Sequence, residues 1–329
     1  MEIDLEIPDL DPEAARQYID ARAAYTELER TRRNALQVRG GMVWKTVKGK
    51  DYLIRTTPEG GQSSLGAKSE QTLAVFEKFT ERKSTLTARL ARLKESMAMH
   101  ERLNRALRVG RMPNIAVAIL NRISSAGLDE HFRIVGTHAL YAYEAAAGVR
   151  LGGDVTATRD IDLLWDTRKR VVFAQRLALD APSMLEVLRK ADKTFELRED
   201  QKYTAVNASG FEVDILRREA EENDPHPIRL SESEDDFWVV QARRAADLQN
   251  AAAFSEVVVA INGTMARMHT IDPRAFADFK RWMSRQADRE AVKRRRDMLQ
   301  AQTVDLLIRE RLPQMQPWVQ GQNSVPSRQ

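Results

Sequence analysis

Short apolar strands alternate with helical segments in the middle of the chain, and this alternation constrains the fold more than any other feature. FRIVG at 132–136 is predicted to be a buried strand, and the Ala-rich segment HALYAYEAAAG at 138–148 a helix. RDIDLLWD at 159–166, YTAV at 203–206 and FEVDILRR at 211–218 are predicted as further strands. We therefore expect an α+β fold, in which a small mixed β-sheet is flanked by helices.

The first candidate site is the junction Val135-Gly136-Thr137, where a strand ends and a helix begins. A glycine lets the backbone approach a phosphate closely, and the first N–H groups of a helix are free to bind it. Strand–glycine–helix junctions are common, however, so this motif alone predicts little.

The second candidate site is the pair Asp160 and Asp162. Alternate side chains of a strand share one face, so the two carboxylates project together while Ile161 and Leu163 enter the core. Neighbouring carboxylates repel each other unless a cation lies between them, and Mg²⁺ prefers such hard oxygen ligands. The alternative is a strand edge with a solvated acidic face.

Asp214 is an acid between apolar neighbours on a later strand. If that strand lies beside the strand of Asp160 and Asp162, the three carboxylates form one cluster. Such a cluster suits two-metal nucleotidyl transfer, in which one ion activates the attacking oxygen and the other stabilises the leaving pyrophosphate. Mg²⁺ or Mn²⁺ is the expected cofactor.

In order and spacing, these motifs resemble the polymerase-β-like nucleotidyltransferase superfamily. The stretch from Gly136 through Gly148 and Thr158 to Asp160-Ile161-Asp162-Leu163 is most similar to the abortive-infection type enzymes. The resemblance covers about residues 134–216 and implies that Asp160, Asp162 and Asp214 are catalytic metal ligands. It also implies that Gly136, Thr137 and Arg159 contact the nucleotide. Thr137 departs from the usual Ser or Gly, and residues 150–156 are an insertion.

The resemblance extends loosely into the C-terminal helices. The segment REAVKRRRD at 289–297 is similar to a late Lys/Arg–Asp motif of the same enzymes, which implies that Lys293, Arg296 and Asp297 bind the nucleotide. Lys280 is a rival for the phosphate contact. A basic, solvated helix face explains each of these residues as well.

The N-terminal segment lies outside the resemblance. Two long helices, at about 11–38 and 69–109, are predicted to form an antiparallel hairpin that carries a small β-meander with turns at 48–50 and 58–61. Lys45, Lys48, Lys50 and Arg55 are interleaved with Trp44 and Tyr52 in this meander. Such a pattern can bind a nucleic-acid strand, although packing explains Trp44 better.

These segments give four predicted regions. An accessory, acceptor-binding or interaction module occupies 1–112, the nucleotidyltransferase core 113–240, a C-terminal helical domain 241–315 and a disordered polar tail 316–329.

The chain has no cysteine, which excludes disulfides and cysteine-ligated metals. The acidic N-terminus is unlike a signal peptide, and no apolar run is long enough to cross a bilayer, so we expect a cytoplasmic protein without membrane contact.

The sequence thus predicts an enzyme that transfers a nucleoside monophosphate from an NTP, such as ATP, to an acceptor. Charge separates into blocks: residues 81–111 carry nine Lys and Arg against three Glu, and residues 192–236 carry fourteen acids against six bases. Basic helices on both sides of an acidic site favour RNA or a tRNA end as the acceptor. A toxin or phage-defence role is implied by the resemblance alone. The alternatives are a protein or small-molecule hydroxyl as the acceptor, or a non-catalytic nucleotide- or RNA-binding protein.

Overall fold

The computed structural model describes residues 7–221 and 224–315. These residues form two compact units: Glu13–Val109 is one, and the stretch up to Pro12 together with the chain from Gly110 onward is the other. No helix among the described residues is long and apolar enough to span a membrane. The predicted tail at 316–329 lies outside the described residues.

The first unit is built on two long helices, α1 (Pro12–Leu36) and α2 (Glu70–Ala106). Ser69 caps α2 through a reciprocal bond with Thr72, which satisfies N–H groups that the first turn leaves free. Two side-chain contacts, one between the start of α1 and the end of α2 and one between the middle parts of both helices, show that the helices are antiparallel. Gln17 Nε2 donates to Asn104 Oδ1 at 2.9 Å, and Glu27 Oε1 lies 2.6 Å from Arg89 Nη2. The predicted helical hairpin is therefore confirmed.

The same unit carries an antiparallel three-stranded sheet in the order β1 (Gly41–Val47), β2 (Lys50–Thr56) and β3 (Gln62–Ala67). Lys48 and Gly49 connect β1 to β2 with φ angles of 49° and 75°. Positive φ at both central residues is typical of the two-residue turn that matches strand twist. Both predicted turns of the meander are confirmed.

The second unit is a mixed sheet covered by helices on both faces. Its helices are α3 (Asn114–Ser125), α4 (Ala139–Ala147), α5 (Gly153–Thr156), α6 (Arg170–Asp180), α7 (Met184–Arg189), α8 (Ala245–Asn250), α9 (Pro273–Met283) and α10 (Ala291–Glu310). Its strands are β4 (Phe132–Val135), β5 (Asp160–Trp165), β6 (Glu196–Leu197), β7 (Thr204–Val206), β8 (Glu212–Arg217), β9 (Val240–Gln241), β10 (Ala253–Val259) and β11 (Met265–Ile271).

The strand order of this sheet is β10-β11-β4-β5-β8-β7-β6, with β9 also paired to β8. β5 is central, antiparallel to β4 and parallel to β8. Alternate residues of β5 enter different cores: Ile161 and Leu163 pack with α3 and α7 on one face, while Leu164 packs with α4, α9 and α10 on the other. The face of Leu164 is also that of the acidic residues of β5, since their positions differ by an even number.

The predicted α+β fold is confirmed, but four strands were missed: the two-residue strands β6 and β9 and the longer strands β10 and β11. The segment after residue 245 was expected to be mostly helical, yet it contains the hairpin β10–β11, which pairs with β4. Val257, Val258 and Val259 are buried there, so a continuous apolar run marks a strand that is covered on both faces, although β10 is the last strand of the sheet. The predicted insertion at 150–156 holds the short helix α5.

Candidate active site

The acidic residues of β5 and β8 share one face of the sheet. Asp162 is paired with Asp214 and Asp160 with Glu212 in the parallel register of the two strands. Directly paired residues on adjacent strands project to the same side, so the sheet displays four acids together. The prediction that the strand of Asp214 lies beside that of Asp162 is confirmed, and Glu212 is an acid that sequence reasoning missed.

Burial and mutual repulsion make Asp162 hard to ionise. Burial is the largest cause that raises its pKa to about 8, and the charges of Asp160 and Asp214 add to the shift. Lys280 and Arg289 act in the opposite direction. A positive charge beside Asp162 therefore favours the ionised form of its carboxyl.

Two hydroxyl groups hold the flanking carboxylates. Burial raises the pKa of Asp214, while the Thr204 hydroxyl, which donates to Asp214 Oδ1 at 2.6 Å, lowers it. The Thr158 hydroxyl donates to the carboxylate of Asp160. Each of these two aspartates is thus held in its orientation by a hydrogen bond from a neighbouring threonine.

Gly136 lies against the carboxylate of Asp162. Its φ is +68°, in the region that side-chain-bearing residues rarely adopt, and a Cβ at this position would lie 2.0 Å from Asp162 Oδ2. A glycine is therefore required both for the backbone turn and for the space beside the acid. The predicted glycine junction and the predicted acidic strand are one structural feature.

His138 contacts the backbone of β5 at the acidic residues. Its ring is fully buried, and its Nδ1–H donates to the backbone carbonyl of Asp160 at 2.9 Å. Burial lowers the pKa of His138 to about 4, so the ring is neutral near pH 7. Edge-to-face contact with Phe211 completes its packing, which identifies His138 as a residue that positions β5.

A cleft of about 630 Å³ opens over this face of the sheet. Asp160, Asp162 and Gly136 line one side, and residues of α9 and α10 line the other. The apolar part of the lining consists of Val135, Leu164, Leu216, Ala242, Ala245 and Leu248, together with Phe279, Trp282 and Met283 of α9. A cleft of this size with an apolar wall and a few convergent charges has the properties of a small-molecule site.

A buried group of charges forms the helical side of the cleft. Lys280 Nζ in α9 lies 3.0 Å from Asp297 Oδ1 in α10, and both side chains are less than a tenth exposed. Arg289 Nε lies 2.5 Å from the other oxygen of Asp297. Burial lowers the pKa of Lys280, and the charges of Asp297 and Asp162 oppose this. Asp297 therefore holds two cations at the cleft, and both of them interact electrostatically with Asp162.

The comparisons with known proteins agree with this geometry. A family model described as Nucleotidyltransferase matches residues 114–317, which is more than half of the chain. The chain belongs to this nucleotidyltransferase family. The matched segment contains the cleft, the acidic strands and the helices α9 and α10, and it excludes the unit Glu13–Val109. Neither the curated proteins nor the solved structures contain a match.

The predicted nucleotide-binding residues of this nucleotidyltransferase lie in different surroundings. Arg296 lines the cleft and donates to the carbonyl of Ala157 and, at 3.4 Å, to the Thr137 hydroxyl. Lys293 also lines the cleft, but it is exposed and paired with Glu290 at 3.1 Å. Lys280 and Asp297 are paired with each other, as described above. Arg159 is exposed and is not among the residues that line the cleft.

Two lining residues carry no sequence signal. Gln300 Nε2 donates to the Thr137 hydroxyl at 3.1 Å and to the carbonyl of Val155 at 2.8 Å, which ties α10 to the start of α4. Arg289 belongs to the basic run 289–297, in which no local feature distinguishes it from its neighbours. Both acquire a role only when α10 packs over the sheet.

The donor set suits a hard divalent cation, because aspartate oxygens that repel one another are the ligands that Mg²⁺ prefers. As placed, however, no three His, Asp or Glu side chains in the described ranges form a group that could hold a metal ion. Asp214 is hydrogen-bonded to Thr204 and does not line the cleft. The metal-ligand role of the three aspartates remains a prediction.

Proposed function

We propose that this nucleotidyltransferase moves a nucleoside monophosphate from an NTP to an acceptor hydroxyl, with Mg²⁺ or Mn²⁺ held by Asp160, Asp162 and Asp214. The observation that carries the proposal is the register of β5 and β8, which places Asp162 opposite Asp214 on one face of the sheet. When bound, the cation would neutralise the triphosphate and the leaving pyrophosphate.

The residues around the aspartates support triphosphate binding. The backbone N–H groups of Gly136 and Thr137 lie in the turn that leads from β4 into α4, beside Asp162, and can donate to phosphate oxygens. Lys280 and Arg289 lie at the opposite side of the cleft, where their charges act on Asp162. The triphosphate would therefore lie between the sheet and α9–α10, with the acceptor in line with the leaving pyrophosphate.

The apolar wall of the same cleft fits the nucleoside. Phe279 and Trp282 are stacked with ring centroids 5.9 Å apart, and both line the cleft. An aromatic face can contact any base, so this wall supports nucleotide binding without selecting one base.

RNA is the acceptor class that the charge distribution favours. The unit Glu13–Val109 contains twenty Lys and Arg against eleven Asp and Glu, a net charge of +9, whereas the whole chain has +4. The rest of the chain is therefore net negative, at −5. A separate basic unit suits a polyanionic acceptor, whose binding would weaken steeply with salt.

The decisive experiment follows pyrophosphate release and label transfer. The full chain is incubated with Mg²⁺, each α-labelled NTP in turn and total cell RNA, and parallel reactions contain protein or aminoglycoside acceptors. We expect label in RNA with the wild type and none with Asp162→Asn. A protein that binds NTP but releases no pyrophosphate with any acceptor is a binding protein, and this result would refute the proposal.

The finer resemblance to abortive-infection type enzymes supports a toxin or phage-defence role, with a tRNA end as the labelled RNA. Induced expression of the wild type is then expected to arrest growth, and Asp162→Asn is expected to relieve the arrest. Growth that is unaffected by active wild-type enzyme would contradict the toxin role and leave nucleotidyl transfer intact.

A further inference from the structure

The three-stranded sheet of the basic unit has one face that is packed. Trp44 on β1 is paired with Leu53 on β2, so both side chains project to the same side. Leu53 is fully buried, and the Trp44 ring lies 5.8 Å from Phe76 of α2. The guanidinium of Arg55, two residues after Leu53, lies over the ring of Phe79. This face is the core of the meander against α2.

The opposite face is open and has a different composition. The alternation of β1 sends Val43, Lys45 and Val47 away from α2, and the register places Tyr52 opposite Lys45 and Ile54 opposite Val43. Val43 and Val47 are 49% and 45% exposed. Within the described residues, no hydrogen bond or ion pair engages the Tyr52 hydroxyl or the Lys45 ammonium. The outer face of the sheet is thus an aromatic and aliphatic surface beside an unpaired cation.

Two more lysines extend the charge at one end of this face. Lys48 lies in the β1–β2 turn and Lys50 begins β2, and both are exposed. No ion pair involves either of them in the part of the chain that the structure describes. The nearest acid in sequence, Asp51, instead accepts from Thr46 at 2.7 Å and faces Lys68 at 3.6 Å. The three lysines are therefore available to an external anion.

We propose that the outer face of this sheet binds a single-stranded segment of RNA, with a base stacked on Tyr52 and phosphates beside Lys45, Lys48 and Lys50. Stacking requires unpaired bases, and an aromatic ring between cations is the arrangement that single-stranded nucleic acids bind. The sequence already favoured packing for Trp44, and the register places Tyr52 on the opposite face of the sheet. The inference rests on RNA as the acceptor of the proposed function.

Binding is tested with the full chain, a fluorescent single-stranded RNA of about 12 nucleotides and a chelator in place of NTP and Mg²⁺. Fluorescence anisotropy should show Tyr52→Leu to bind on the order of tenfold more weakly, the loss of one stacked base. Tyr52→Phe should bind like the wild type, since the ring is retained. A duplex of the same length should bind less tightly than the single strand.

Lysine variants separate a site from diffuse charge. Lys45→Ala is compared with Lys78→Ala, which removes the same charge from an exposed position on α2 of the same unit. Lys45→Ala should weaken binding several-fold and lower the slope of log Kd against log salt by about 0.7, the value for one phosphate of a single strand. Equal effects of the two variants, or wild-type binding by Tyr52→Leu, would overturn the proposal.

The two proposals fail separately. If no RNA binds at this face while label is transferred to a non-RNA acceptor, this inference is wrong and nucleotidyl transfer stands. If RNA binding depends on Tyr52 while no acceptor is ever labelled, the transfer reaction is wrong and the binding face stands. Melting curves of Tyr52→Leu and Tyr52→Phe that match the wild type confirm that the folded unit is being compared.

Discussion

Replacing Gly136 with alanine tests the contact between the glycine turn and Asp162. The left-handed backbone conformation costs a residue with a side chain about 1–2 kcal/mol. The new Cβ would lie 2.0 Å from Asp162 Oδ2, and two atoms closer than 3.0 Å cannot both stay in place. The carboxylate must therefore move by about 1 Å. Turning that side chain off its rotamer costs about 1 kcal/mol more, so we expect Gly136→Ala to destabilise the domain by about 2–3 kcal/mol.

Gly148 provides a matched control because its φ is +66° and a Cβ there meets nothing within 4 Å. Gly148→Ala should therefore cost only the backbone term, about 1–2 kcal/mol. In a domain of 150–250 residues, 1 kcal/mol lowers Tm by about 2–4 °C, so differential scanning fluorimetry resolves the two variants. Adding Asp162→Ala to Gly136→Ala should return the loss to the Gly148→Ala level. Transfer by Gly136→Ala should fall about 100-fold, as expected for a group displaced by 1 Å.

Two results would refute this reasoning. Gly136→Ala no less stable than Gly148→Ala would show that Asp162 does not occupy the space beside the turn. A double variant as unstable as Gly136→Ala would place the clash elsewhere than at the carboxylate.

Three further predictions concern the charges of the cleft. First, burial raises the pKa of Asp162 from 3.8 to about 8, so the folded state binds this proton more tightly and loses stability as the pH rises between those values. In the presence of a chelator, the Tm of Asp162→Asn relative to that of the wild type should therefore increase from pH 4 to pH 8. A difference in Tm that stays constant with pH would contradict the burial of this acid. Second, Mg²⁺ should raise the Tm of the wild type more than that of Asp160→Ala or Asp162→Ala, both of which should lose transfer while remaining folded; a large Tm loss in both without metal would favour a structural role. Third, Lys280→Met should destabilise the folded domain by about 3 kcal/mol, because it leaves the buried charge of Asp297 with one partner fewer, and it should also impair NTP binding. The control is Lys293→Met, which removes an exposed lysine. Equal effects of the two variants on stability would argue against the buried pair.

The features that sequence predicted are those set by local periodicity. Alternation along β5 places Asp160 and Asp162 on one face whatever the neighbouring strands are, and the helical hairpin follows from three- and four-residue spacing that the buried Tyr18, Ala21 and Tyr25 confirm. The glycine turn at 136 was predicted as a phosphate contact, but its packing against Asp162 depends on the β4–β5 pairing and could not be read from either motif alone.

The features that sequence could not supply depend on which helices pack together. The pairing of Lys280 with Asp297 joins α9 to α10 across seventeen residues, and no local pattern distinguishes Lys280 from the many other cations of that region. The role of Asp297 shows the difference most clearly. The family resemblance implied that it binds the nucleotide, and in the structure its carboxylate holds Lys280 and Arg289 at the cleft.

The pairing of β11 with β4 has a consequence for the order in which the domain can be made. During synthesis, β4 and β5 emerge well before residues 265–271. One backbone edge of β4 therefore stays unpaired until β11, more than a hundred residues later in the chain, has been made. An exposed interior edge is a template for pairing with other chains. A fragment ending near residue 240 would therefore retain Asp160, Asp162 and Asp214 and still be prone to aggregate, whereas a fragment that reaches past Glu310 contains both the missing edge and the helix that closes the cleft.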